Sequence, residues 1–191
     1  PFGDNTLDSA PGLGTPGAQN TITFSAGRWV NRPMQVFYAS NLTRLTFTDA
    51  GSGLSGTTTC FDNDAGGPAQ LLLTLPGQIY TRGAYPGNLN SPSTMVAGTT
   101  LSATIRVTDL SWNQVGIDDP QVLTVYMDNA VGFIDALPVL TMPAVGDVVV
   151  NNIRLRTSSF RPLAAAVPQV LQAQIPTPNI HGSGDPIVVT P

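Results

Sequence analysis

Between residues 99 and 108 the chain reads Thr-Thr-Leu-Ser-Ala-Thr-Ile-Arg-Val-Thr. Leu101, Ala103, Ile105 and Val107 alternate there with Ser102, Thr104, Arg106 and Thr108. Side chains of a strand point to opposite faces in turn, so this stretch carries one apolar face and one polar face. Its β-branched residues, and the absence of Gly and Pro inside it, suit a pleated conformation. A face this apolar needs a second layer to cover it.

The material for that layer is not helical. All eight basic residues are Arg and all twelve acidic residues are Asp, with no Lys and no Glu. Those two missing residues normally fill solvent-facing helix positions. Thr, Ser, Asn, Gly and Pro supply the surface instead, which suits strands joined by turns. Strand patterns recur at residues 20–25, 34–39, 42–48, 57–61, 69–75, 78–81, 122–127 and 147–157. The run 69–75 is apolar but for Gln70 and Thr74, as expected of a strand covered on both faces. In the last segment Ile153 and Leu155 alternate with Arg154 and Arg156. Residues 131–134 and 139–142 are apolar but broken by Pro138 and Pro143, which fits edge or bulged strands. Strands at such turn-punctuated intervals predict an all-β sandwich or barrel.

The two ends read differently. Residues 1–19 are rich in Gly and Pro and form an expected N-terminal arm ahead of a sandwich domain at 20–159. Residues 160–191 hold six prolines, which predicts a second extended arm with, at most, a short helix near 168–175. That arm is apolar, with Leu163, Val167, Val170, Leu171 and Ile175 among its residues, so it is expected to bury them against something. Leu163, Val167, Leu171 and Ile175 are accordingly assigned to contacts with a neighbouring subunit. The basic strip Arg154, Arg156 and Arg161 is assigned to an Asp-bearing surface of that neighbour.

Charge and chemistry narrow the function by exclusion. The 191 residues carry a formal charge of −4, which argues against general binding to nucleic acid or to anionic membranes. No apolar run approaches the length of a membrane span. Pro1 is what remains where an initiator Met is removed, so a chain made in the cytosol without a leader is expected. Gly51-Ser52-Gly53-Leu54-Ser55-Gly56 has the spacing of a dinucleotide fingerprint, but strand residues follow it where a helix is required. Asp49 lies in a loop reminiscent of aspartic proteases, yet Ala50 lacks the bracing hydroxyl and no second copy exists. Cys60 is alone and is expected to be a buried, inert thiol. His181 is the sole histidine and sits in the C-terminal arm.

Asp62 and Asp64, flanking Asn63 ahead of Gly66-Gly67, are the best metal candidates: oxygen ligands in a tight turn would suit Ca²⁺. A plain Asx-type turn is the competing account. No cofactor is implied, and an enzyme is not expected, because general acid–base work needs tuned partners that this chain hardly owns.

A β-sandwich core, apolar proline-rich ends and scarce reactive groups together resemble the single jelly-roll capsid proteins of icosahedral viruses, tailless bacteriophages included. The resemblance covers residues 20–157. It implies an eight-stranded jelly roll that tiles a virion shell through its edges, made in the host cytoplasm and assembling with copies of itself and other virion proteins. The acidic balance departs from coat proteins with basic genome-binding arms, which points to an outer-shell or decoration role. The alternative is an extracellular β-sandwich module or adhesin reading glycans. Arg28, Trp29 and Arg32 would clasp a ligand, and Trp29, Tyr80, Tyr85 or Trp112 would stack on it.

Overall fold

The computed structural model describes residues 7–8, 35–49, 51–127, 134–159 and 167–191. The fold they form is all-β, with no helix among them. Seven strands make the sandwich: β1 (Gln70–Thr74), β2 (Thr100–Thr108), β3 (Gln121–Met127), β4 (Leu140–Met142), β5 (Asp147–Arg154), β6 (Leu171–Ile175) and β7 (Ile180–Ser183). One sheet runs β5-β2-β1 and the other β4-β3-β6-β7, with every pairing antiparallel.

β2 is the centre of the first sheet, as its alternation predicts. Leu101, Ala103, Ile105 and Val107 are buried, and Ser102 is exposed. The run at 69–75 behaves as expected too, since Leu71, Leu72 and Leu73 are all buried on β1. β5 is less regular. Val150 and Ile153 are three residues apart, which in a regular strand sends them to opposite faces. A bulge shifts the register against β2, and Asn152 adopts φ 60°, so both side chains turn into the core.

The facing sheet overturns the expectation of a C-terminal arm. β6 lies inside the sheet, between β3 and β7, and Leu171, Ala173 and Ile175 are fully buried within this chain. Prolines do not prevent this, because Pro168 and Pro176 flank the strand without interrupting it. Leu171 and Ile175 are therefore core residues and not contacts with a neighbouring subunit. Val167 stays exposed, its amide donating to Ser159 O. The chain then tucks residues 187–190 under the core. Val189–Thr190 pairs in parallel with Met95–Val96, and Ile187 bridges Gln169. Leu163 and Arg161 lie outside the described residues, as does the strand expected at 20–25.

The described strands form a sandwich of three strands against four. In chain order the sheets hold strands 1, 2 and 5 against 3, 4, 6 and 7. Three consecutive pairs, β1–β2, β3–β4 and β6–β7, are neighbours within one sheet. An immunoglobulin constant domain differs from this order only in keeping its fourth strand with the other sheet. The two sheets also approach each other at both sides. β4 adjoins β5 through the turn at Pro143–Gly146, and β7 lies along β1. That second contact is so close that a Cβ on Gly182 would stand 2.0 Å from Leu71 O, which only glycine avoids.

Smaller pieces decorate this body. Ser40–Thr43 pairs with Phe61–Asn63, and Thr46–Thr48 pairs with Ser55–Thr57. Ile79–Tyr80, within the strand pattern at 78–81, pairs with Asn88–Leu89. Residues 7–8 pair with 35–36, so this part of the expected N-terminal arm is strand. No helix among the described residues is long and apolar enough to cross a membrane.

Candidate functional site

The turn after β2 positions the side chains of most chemical interest. Asp109 follows the strand and is buried. Its Oδ1 accepts from the amides of Ser111 and Asn113, at 2.8 and 2.9 Å. Its Oδ2 accepts from Gly66 N and Asn113 Nδ2, both at 2.9 Å. A buried carboxylate is tolerable only with such a full set of donors. Asn113 in turn accepts from Ala39 N at 2.9 Å and donates to Phe37 O at 2.7 Å. Asn63 Nδ2 reaches Val36 O and Tyr38 O. Two amide side chains thus moor residues 36–39 to the sandwich. Asp109→Asn puts an amide among these donors, and a cost of about 2 kcal/mol, or a Tm lower by roughly 4–8 °C, is expected. A calorimetric melt indistinguishable from wild type would remove Asp109 from this role.

The same turn holds Trp112 in a left-handed conformation, φ 59°, which is rare for a bulky residue. Its carbonyl accepts from Tyr80 Oη at 2.7 Å and from Gly83 N at 3.4 Å. Tyr80 Oη also accepts from Gln114 N at 3.0 Å, and the Arg106 guanidinium lies 4.6 Å from the ring centre. Burial pushes the Tyr80 phenol up from its ordinary pKa, so it remains a donor at neutral pH. The indole rests on Gly87, where a Cβ would fall 2.2 Å from Cδ1. Tyr85 meets that indole edge-on at 5.1 Å between ring centres, and is itself 69% exposed.

A cleft of about 310 Å³ is lined by Tyr38, Ser40, Asn41, Asn63, Asp64 and Arg82. Arg82 lies over the Tyr38 ring at 5.4 Å. Its neighbour Gly83 is the residue bonded to Trp112 O, so cleft and aromatic pair flank one short piece of chain. No family model, curated protein or solved structure matches the chain.

Several sequence expectations are revised at this scale. Asp62 and Asp64 do not close a tight turn. Asp62 lies on the strand Phe61–Asn63, Asp64 opens into the cleft, and the amide of Asn63 is spent on the backbone. No cluster of three His, Cys, Asp or Glu exists among the described residues. Arg154 and Arg156 have a partner within this chain. Both pair with Asp135 of this chain, and the Arg156 hydrogen bond holds that carboxyl below its ordinary pKa. Cys60 is exposed, not buried, and its Sγ accepts from Arg44 Nε at 2.8 Å. Asp49 is spent on the loop it opens, accepting from Gly51 N, Ser52 N and Ser52 Oγ. His181 is an exposed residue of β7, in register with Gln174. Arg28, Trp29 and Arg32 lie outside the described residues.

What the sequence reading missed is the cleft. Tyr80, Tyr85 and Trp112 are flagged there as aromatics, but nothing in their spacing brings in Tyr38, Arg82 or Asp64. The one available signal is the turn composition around Arg82–Pro86, where two aromatic side chains flank an Arg-Gly pair.

Proposed function

We propose that the chain is a non-catalytic β-sandwich module that binds carbohydrate. The observation that carries this reading is the exposed Tyr85 ring, braced by a backbone-pinned Trp112 and three residues along the chain from Arg82, which lines a polar cleft. A sugar has an apolar C–H face and a rim of hydroxyls. It therefore needs a flat ring for one and directional polar groups for the other, and ligand sites generally combine the two. Trp112 is held in an unfavoured conformation, φ 59°, and such strain collects at binding sites. A module of this kind would work outside the cell.

A screen of the intact protein on a glycan array of wide composition tests the reading. Retention of at least one glycan class is expected, with Tyr85→Ala weakening it about tenfold by removing the stacking surface. An empty array, or equal binding by the variant, rejects it.

A second reading, a self-assembling capsid or capsid-decoration subunit of a virion, is favoured by one observation. Leu42, Leu54, Leu110, Val139 and Val145 are 62% to 87% exposed. In that reading they are contact points between copies, because the sheet edges are occupied by one another. A discrete large particle in mass photometry supports this second reading, and a monomer at high concentration removes it.

A further inference from the structure

The cleft is lined by two charged side chains, Arg82 and Asp64, that have no hydrogen-bond or ion-pair partner among the described residues. Among the described arginines, Arg44 donates to Cys60, Arg106 to Thr74 Oγ1, and Arg154 and Arg156 engage Asp135. Arg82 lies against the face of Tyr38 and donates no hydrogen bond to another of the described residues. Asp64 accepts no hydrogen bond and forms no ion pair among the described residues, although it lines the same cleft as Arg82. A cation and an anion thus share one cavity without neutralising each other.

Their chemistry defines what fits between them. A guanidinium only donates and a carboxylate only accepts, whereas a hydroxyl does both. We infer that the cleft takes the hydroxyl edge of a neutral sugar, its vicinal hydroxyls accepting from Arg82 and donating to Asp64. This rests on the carbohydrate reading above and adds a specificity to it. Asn41 and Asn63, which also line the cleft, supply further polar groups. A uronic acid is refused. Its carboxylate would suit Arg82 but would stand against Asp64 in a chain of net charge −4.

The test titrates the full chain by calorimetry with neutral cello-, manno-, xylo- and galacto-tetraoses and with tetragalacturonate. Binding of at least one neutral tetraose is expected, and tetragalacturonate is expected not to bind. Arg82→Gln and Asp64→Asn should each weaken the neutral ligand tenfold or more, with melting curves unchanged. Asp64→Asn should also narrow the discrimination against tetragalacturonate. Preference of the wild-type chain for tetragalacturonate overturns the inference, as does wild-type affinity in both variants. Loss of binding in Tyr85→Ala with full affinity in Arg82→Gln and Asp64→Asn overturns it while leaving the carbohydrate reading intact. Binding of none of these sugars, with an empty array, removes both.

Discussion

Removal of residues 167–191 is expected to leave a chain with no cooperative thermal transition. These residues supply β6, an interior strand of the four-stranded sheet, and β7, which closes that sheet against β1. Leu171, Ile175, Ile180, Ile187 and Val189 are all within 3% of full burial. Each contributes about 1.5–3 kcal/mol when taken out of water. Five of them together rival the whole net stability of an ordinary domain, roughly 5–15 kcal/mol. The truncation also strips β3 of a hydrogen-bonding partner over Thr124–Met127 and bares Leu123 and Val125. Near-ultraviolet circular dichroism and calorimetry read the outcome. A sharp melt with native aromatic signals would mean that the sandwich stands without its last two strands.

The second large effect concerns the seam between the sheets. Gly182→Val is expected to lower stability by at least about 3 kcal/mol, a Tm shift of roughly 6–12 °C. Overpacking is usually relieved by a side chain moving to another rotamer. Here the obstacle is Leu71 O, a backbone atom in the middle of β1, and its displacement disturbs the pairing of β1 with β2. Gly67→Ala is the control, because a Cβ there meets nothing within 4 Å. Equal melting temperatures for the two variants would show that β7 does not press on β1 in solution.

The strands legible in the sequence are those whose period-two pattern is long. Residues 100–108 and 121–127 have one continuous apolar side, and the pleat turns that side inward. β6 carries the same signal, Leu-Gln-Ala-Gln-Ile, but it is short and bracketed by prolines. Weighing the prolines above the alternation made it an arm. The topology was not legible, because an apolar face says that a strand is covered and not which strand lies beside it. β5 shows the limit in miniature, since its bulge at Asn151 and Asn152 breaks the alternation that the neighbouring Ile153 and Leu155 display. The site was the least visible part. Asp109 looks like an ordinary turn residue until Gly66 arrives from another segment, and Arg82 has no reason to meet Tyr38 except the mooring of residues 36–39 by Asn113 and Asn63.

The glycine seam also sets a schedule for how the molecule comes into being. β1 is the first sandwich strand to be synthesised, and β7, the strand it touches through Gly182, is the last. Contacts between segments so far apart in the chain are made late and slowly, since the intervening loop must be closed before any burial repays it. Until β6 and β7 emerge, the inner faces of β2 and β3 have no complete cover, and Ile105, Leu123 and Val125 face solvent on a nascent half-sandwich. Such a half-built sheet is prone to pair with its neighbours on the polysome. Yield in a recombinant host should therefore respond more to chaperone supply and temperature during synthesis than to conditions chosen after the chain is finished.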